Sequence, residues 1–576
     1  MAVLRLALFV ALAWSVYSLA REFTFPFLLL SLLLAGAFIA CVNLHFRWKD
    51  KRILQEKLRF VSTNELAVLA GEPNGFPDGS SYLDSDNYLD DLDIFGRQSL
   101  FHLLNRTTTT RGSAALAVRL RQPLLTAESI VNEQEAIRIL ARQPLIRHQL
   151  TATGLVTQEK GDFDTNNLGK WLHTPPRLYN RILLRILILL LSAFNLYAFY
   201  EFFASNNYTL VIIGLVVARL IWGVFAKYIG QQHQLLGRQH ALLDQFAGIL
   251  AVFNKTDTAD SRVLQELQTQ TARAHTAIRR LSRLSGAFDQ RLNLLVNLVL
   301  NNFFFYDLQC MIALERWKGA NRNDLLTWID AVSTVESLSS LATYAFNNPN
   351  NNYPLPIVPA PAPDGAASAP TLLIEASRLA HPLIPAARSI ANDLTIGRDE
   401  RLILVTGSNM SGKTTFLRTL GVNLLMAQCG LPVCAASFRF TPMQLLTSLR
   451  ISDSLQEQTS YFMAELKKLQ KIIHRLQTGA PALVLIDEIL RGTNSEDKTF
   501  GSEQFIRKLL QYPCLALFAT HDLSLGQLEE ELPKAIHNYC FESIIEDNEL
   551  HFDYRLQRGI ARNRNASFLM QKMDII

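Results

Sequence analysis

Apolar positions along this chain of 576 residues fall into three kinds of run, and each predicts a different element. The longest carry almost no charge. Ala2 to Ala20 is interrupted mainly by Arg5, and Phe23 to Leu44 contains Pro26 and no charged residue. As helices these runs span roughly 28 and 33 Å at 1.5 Å per residue, enough for a hydrocarbon core, with Arg21-Glu22 left for a tight hairpin. A second pair follows. Ile186 to Phe203 is apolar except for Ser192, Asn195 and Glu201, and Tyr208 to Phe225 except for Thr209 and Arg219. The stretch from Leu183 to Ser192 is too uniformly apolar for an amphipathic helix, so it predicts a second transmembrane hairpin. Arg219 is costly at depth; it snorkels, pairs with Glu201, or marks a shallow helix.

The second kind of run repeats at helical spacing. Lys49 to Tyr179 reads as amphipathic helices joined by polar turns. Leu235–Phe253, Val263–Leu300 and Leu326–Phe346 continue the pattern as long helices. Asn347 to Pro370 then breaks it with Asn-Asn-Pro-Asn-Asn-Asn-Tyr-Pro and Pro-Ala-Pro-Ala-Pro, a connector that cannot pack a core. The third kind is short and strand-like: Leu372–Glu375 as an edge strand, Leu402–Val405, Ala482–Ile486 and Cys514–Ala519. The predicted fold class is an α/β domain joined to an all-α region with two transmembrane helical hairpins. Its divisions fall at 1–46 (hairpin), 47–180 (helical), 181–229 (second hairpin), 230–346 (helical), 347–371 (linker) and 372–576 (α/β).

Charge orients the hairpins more than it identifies a partner. Fifty-six basic against 51 acidic residues give a net +5, a mild excess that does not by itself imply nucleic acid. The basic cluster His45 to Arg52 with Trp48, and Arg177, Arg181, Arg185 and Lys227 around the second pair, place the soluble regions in the cytoplasm by the positive-inside rule. Ser18-Leu19-Ala20 also resembles a signal cleavage site. The apolar run behind it argues for a retained hairpin. Arg279, Arg280 and Arg283 cluster on one helix, first of all as a solvated face. The six cysteines are scattered without a disulfide or zinc pattern, as in a reducing compartment.

Candidate chemistry begins where the strand Leu402–Val405 runs into Gly407-Ser408-Asn409-Met410-Ser411-Gly412-Lys413-Thr414-Thr415. Gly-x-x-x-x-Gly-Lys-Thr between strand and helix is the spacing of a P-loop, so the α/β domain at 372–576 reads as a P-loop ATPase domain. The two glycines let backbone N–H groups reach phosphate oxygens, and the helix start adds its positive dipole end. Lys413 then reaches the β- and γ-phosphates of ATP, and the Thr414 hydroxyl sits on Mg²⁺. Ala482-Leu-Val-Leu-Ile-Asp487-Glu488 is an apolar strand ending in two carboxylates: Asp487 for Mg²⁺ and Glu488 to polarise the attacking water. A third strand ends in His521. Alone it would be an ordinary strand-end residue; after the other two motifs it reads as a γ-phosphate sensor.

These motifs, with Thr459-Ser460-Tyr461-Phe462-Met463-Ala464-Glu465, Asp487-Glu488-Ile489-Leu490-Arg491-Gly492-Thr493-Asn494 and Ala519-Thr520-His521, resemble the MutS family of mismatch-repair ATPases. The Leu-Ser-Gly-Gly-Gln signature of ABC transporters is absent. The resemblance implies a homodimer through the ATPase domains, with Ser460 reaching across to the γ-phosphate of the other subunit; Tyr461 stands where the family usually has threonine. It also implies an adenine stacked between rings. Tyr554 falls where one ring is expected, and none is evident near Ser389. Leu92 to Gly96, the threonines 107–110, Pro123-Leu124 and Asn132 to Ile137 resemble the start of the family's helical core, and the long helices its levers. The family's Phe-x-Glu mismatch wedge has no counterpart before Lys49, and Phe199-Tyr200-Glu201 is a coincidence inside an apolar helix.

The resulting expectation is a membrane-anchored MutS-like ATPase, multi-pass in an inner or plasma membrane. It couples ATP to lever movement, with DNA as a candidate partner. The alternatives are an ATP-dependent membrane scaffold or assembly switch without nucleic acid and, more weakly, a transport ATPase.

Overall fold

The computed structural model describes all residues except 1, 22–23, 84–87, 157–164, 206–207, 238, 294–296, 359–371, 398–399, 409, 451–460, 491–492, 547–548, 563–569, 571–574 and 576. Helices α1 (Ala2–Arg21) and α2 (Phe25–Leu69) pack antiparallel. Their seam holds a buried hydrogen bond between the Ser15 and Ser31 hydroxyls (2.8 Å), and Trp14 meets Phe27 edge-on. Pro26 sits in the first turn of α2, where its missing N–H costs nothing.

No break in the helix marks the boundary expected at residue 46. No Gly or Pro occurs between Arg47 and Leu69, so α2 runs on through the basic cluster for 45 residues, about 68 Å. Its far end is buried in the helical region at Val61, Asn64 and Glu65. There Glu65 accepts from Arg106 Nη2 (3.1 Å) and Asn347 Nδ2 (2.6 Å).

Around that end pack α3 (Thr110–Arg121), α4 (Ala127–Ala141) and α5 (Pro144–Leu155). The threonine-rich turn has a definite task. Thr109 caps α3 by accepting from Gly112 N, while Thr108 and Thr109 donate to the buried carboxylate of Glu336. A Cβ at Gly112 would lie 2.3 Å from Glu336 Oε2. Burial pushes the Glu336 carboxyl above its ordinary range.

The second apolar pair is α6 (Ile182–Ser205) and α7 (Thr209–Leu236), in contact at Asn195 and Gly214. Among the described residues, three helices, α2, α6 and α7, are long and apolar enough to cross a membrane; the apolar stretch of α1, Val3–Leu19, is shorter. Arg219 lies 5.8 Å over the Trp222 ring.

Beyond α8 (His240–Phe253), the long helix expected over Val263–Leu300 is broken. It is a short helix, Arg262–Thr271, and then α9 (Ala274–Asp289). After Asp289 the described residues form a 3-10 turn (Gln290–Leu292), a π-helical turn (Asn297–Asn301) and a short α-helical turn (Asn302–Phe304) that packs against α6 and α7, before α10 (Tyr306–Asn321) and α11 (Leu325–Asn347). Asparagines at 293, 297, 301 and 302 interrupt what apolar spacing alone reads as one helix.

The connector also departs from expectation. Tyr353 stacks under Arg138 (4.3 Å), and β1 (Leu355–Pro356) pairs with β5, so this part is packed; residues 359–371 lie outside the described set. One sheet has the order β1-β5-β2-β3, with β2 (Leu373–Leu379), β3 (Asn392–Gly397) and β5 (Ser437–Phe440). The strand expected at an edge is therefore interior, because β5 and β3 flank it. The larger sheet has the order β10-β9-β4-β8-β7-β6, from β4 (Leu402–Gly407), β6 (Gln444–Ser448), β7 (Ala482–Asp487), β8 (Cys514–Thr520), β9 (Ile536–Glu546) and β10 (Glu549–Arg558).

All pairings in the larger sheet are parallel except β10 with β9. Parallel sheets are covered on both faces, and alternate residues show it here. Ile403 and Val405 join the core shared with the helical region. Leu402 and Leu404 join a second core under α13 (Tyr461–Leu476) and α14 (Ser495–Leu509). Between β4 and β5 runs α12 (Lys413–Gln428).

Candidate nucleotide site

The site forms where β4, β7 and β8 end side by side. Thr406 pairs with Thr520, and Asp487 with Ala519, so the loops that follow share one rim. Gly407 has φ +151°, and a Cβ there would lie 2.8 Å from both Phe541 O and Ser411 Oγ. Gly412 has φ +104° and faces the Tyr554 ring, 3.1 Å from the place a Cβ would occupy. Both glycines are therefore required by backbone conformation and by close approach. Met410, also at positive φ, points outward and is exposed. Asn409 lies outside the described residues.

Lys413 is buried and folds back on its own loop, donating to Gly407 O and Ser408 O (2.8 Å each). Its Nζ also lies 3.4 Å from His521 Nε2. Burial first, then the Lys413 charge, hold the His521 imidazole below its ordinary range, so it faces the lysine as a neutral acceptor. The Thr414 hydroxyl donates to Asp487 Oδ2. Glu488 has φ +53°, its N–H donates to Ala519 O (2.9 Å), and its carboxylate is ion-paired with Lys498 of α14. The buried Glu465 accepts from Leu490 N (2.8 Å), which ties the start of α13 to the loop beyond β7.

A cavity of about 670 Å³ opens over the loop, lined among others by Ser408, Met410, Ser411, Gly412, Lys413, Thr414, Thr415, Asp487, His521 and Tyr554. Its far wall is His381, Ile384, Arg388, Ser389 and Ile390. Thus Lys413, Thr414, Asp487, His521 and Tyr554 come together as the motifs imply. Ser460 lies outside the described residues, so its expected role across a dimer has no geometry here.

The arrangement suits Mg²⁺ and a nucleotide triphosphate on chemical grounds. Thr414 and Asp487 place two hard oxygens in contact, and the buried Ser411 hydroxyl has no hydrogen-bond partner among the described residues.

Residues 403–571 match the family model of MutS domain V. Over 196 residues the chain is 33% identical to MutS protein homolog 4 of Mus musculus, covering 32% of this chain and 20% of that protein. Over 199 residues it is 32% identical to the Homo sapiens MutS protein homolog 4, covering 34% and 20%. Over this segment the chain is similar to the MutS family's ATPase domain. It spans about one fifth of the length of these relatives.

The cavity has lining residues that sequence reasoning missed. Ile384 and Ile390, with the half-buried His381, stand where a second ring was sought beside Ser389. The irregular loop Leu379–Asn392 carries no periodic signal that would have exposed them. Burial holds His381 down to about 4.

A second contact joins the domain to the helical region. Asp91 accepts from Thr447 Oγ1 (2.6 Å), Arg450 N (2.9 Å) and Lys468 Nζ (2.8 Å). Asp93 meets Arg418 of α12 (2.8 Å) and Arg450 (2.7 Å), while Leu92 packs on Gly421. The resemblance singled out Leu92 to Gly96; only the three-dimensional structure shows that this stretch grips the P-loop helix.

Proposed function

We propose that this is a membrane-anchored MutS-family ATPase whose nucleotide cycle, run in a composite dimer site, is passed through the helical region to the bilayer. One observation supports the coupling above all others. α2 continues without a break from the apolar run into the helical core, where Glu65 meets Arg106 and the last residue of α11. Asp91 and Asp93 then link that core to α12 and to the strand beside the nucleotide site. Displacement at the P-loop helix has a short, stiff route to the membrane.

Within the site, Lys413 would leave its two carbonyls for the phosphates, and Thr414 and Asp487 would hold Mg²⁺, which supplies charge neutralisation across the phosphate oxygens. Glu488 would accept the proton of the attacking water, which requires its release from Lys498. His521, kept neutral, would donate its one ring N–H at the γ-phosphate end of the loop. The partner subunit's Ser460 would complete the site in a homodimer.

The experiment is ATP turnover by the full chain in detergent and in vesicles, compared with a Gln55→Pro variant that interrupts α2 outside the apolar run. Turnover should respond to lipid in the parent chain, and Gln55→Pro should remove the response while leaving ATP binding intact. A parent chain indifferent to lipid overturns the coupling. The continuous rod equally suits a membrane scaffold driven by ATP, and duplex DNA separates the two. Binding with a steep salt slope favours a DNA-handling machine, and none at low salt favours the scaffold.

A further inference from the structure

We propose that the cavity between α9 and α10, framed by Arg280 and Arg316, binds a phosphate anion, carried either by the headgroup of a membrane lipid or by a free phosphate. The lipid source rests on the membrane reading of the α6–α7 hairpin; the anion site itself does not.

The cavity measures about 300 Å³, and Thr276, Arg280, Arg316, Trp317 and Asn321 are among its lining residues. Its charge comes from two helices, Arg280 from α9 and Arg316 from α10. Among the described residues no carboxylate lines it. Both arginines are exposed, and neither guanidinium makes a hydrogen bond or an ion pair with another described residue.

The carboxylates nearby are engaged elsewhere. Asp324 faces Arg273 and Asp244 faces Arg279, each at 3.9 Å. Asp289 lies between His233 (2.9 Å) and His240 (3.2 Å). Glu315, beside Arg316 in the chain, is buried and accepts from the N–H groups of Arg177 (2.9 Å), Leu178 (2.8 Å) and Tyr179 (2.6 Å) and from the Tyr228 hydroxyl (2.7 Å). A solvated basic face would treat the arginines of α9 alike. Instead Arg279 meets a carboxylate, while Arg280 shares a cavity with Arg316. Like charges held together repel, and an anion between them turns the repulsion into attraction.

The walls are set before any ligand arrives. Trp317 is buried, stacks on Trp171 with ring centroids 6.3 Å apart, and donates from Nε1 to Ala277 O (2.8 Å), which ties α10 to α9 at the cavity. Each guanidinium is a planar fork that matches two phosphate oxygens. Forks arriving from two helices suit a tetrahedral phosphate better than a planar carboxylate.

The contacts of Glu315 also give the cavity its height. Tyr179 stands three residues before α6, and Tyr228 three residues beyond Phe225, where the apolar run of α7 ends. Glu315 holds both, so it marks the level at which the two apolar runs stop, and Arg316 is the next residue of α10. Three helical residues rise about 4.5 Å, and headgroups fill a layer about 5 to 7 Å thick outside the hydrocarbon. A lipid phosphate therefore comes to the height of Arg316.

The test titrates the full chain in detergent with inorganic phosphate and, separately, with dihexanoyl phosphatidic acid below its micelle concentration, and reads binding by calorimetry. Arg280→Glu and Arg316→Glu should each weaken binding about tenfold or more, because the anion loses one charged fork and meets a carboxylate. Arg283→Glu, on α9 but off the cavity, should leave binding unchanged, and Arg280→Gln repeats the test without a reversed charge in case the acidic variants fold poorly. Phosphate held at the P-loop is common to all these proteins and cancels in the comparison. Loss of both ligands in the cavity variants supports the site with a lipid headgroup as its source. Loss of inorganic phosphate alone, with phosphatidic acid unbound even by the parent, supports it with a soluble source. Binding that is the same in parent and cavity variants overturns the site, and so does an equal loss in Arg283→Glu, the mark of a diffuse basic surface. Duplex DNA that displaces phosphate from the parent but does not bind the cavity variants gives the cavity to nucleic acid and overturns the proposal as well.

Discussion

Leu402–Val405 of β4 and Leu187–Leu191 of α6 are equally aliphatic, yet they meet opposite fates. Every residue of the strand is fully buried, whereas Leu189 of the helix is 69% exposed. The strand lies inside a six-stranded sheet covered on both faces, so each side chain has a protein partner. The helix meets its hairpin mate and the segment around Asn302 on one side, and among the described residues little covers Leu189 on the other. Apolarity says that a segment leaves water; topology says what it joins instead.

The comparison breaks most visibly at the chemistry, which should belong to the sheet alone. Glu488→Gln is expected to lower phosphate release about 10²- to 10⁴-fold while retaining ATP binding, and membrane extraction behaviour should not change. Turnover at the parent rate in the purified variant removes Glu488 from the proton transfer.

The join between the two regions comes next. Arg106→Ala strands the Glu65 carboxylate at the buried end of α2 and should cost about 3 to 5 kcal/mol, read as a lowered melting temperature. An unchanged melt would mean that α2 is not anchored there.

Leu189→Asp should raise the cost of inserting α6 by about 3 kcal/mol, seen as loss of alkali-resistant membrane association. The same change on a water-facing helix would be silent, so indifference at 189 would place the hairpin in water.

The smallest effect sharpens the contrast on the soluble side. Folding holds His381 down to about 4, so the folded protein stays neutral there while the unfolded chain takes up a proton near 6.5. That difference is absent above pH 6.5, and stability is lost as pH falls from about 6.5 towards 4. Thermal melts should show the fall, and His381→Gln should flatten it; an equally steep fall in that variant assigns it to other groups.

How legible was the site? The residues proposed to hold phosphate and metal are set by neighbours within a few positions, so Gly407, Gly412, Lys413 and Thr414 could be picked from spacing. Asp487, Glu488 and His521 announce themselves at strand ends. Lys498 did not, because a lysine in the first turn of an acidic helix start gives no sign that it will reach back to Glu488. The helical region was read less well. A window of apolar spacing could not see that α2 continues past its membrane-length run, nor that asparagines break the helix after Asp289.

The sequence by itself determined the elements whose causes are local: the loop that two glycines bend, the strands that only apolar residues fill, and the runs too apolar for water. Tertiary structure alone decided which of these meet. Glu65 finds Arg106 across 41 residues and Asn347 across 282, and Asp91 finds Lys468 across 377. Such pairs are fixed by the path of the whole backbone, and no short window of sequence contains both members.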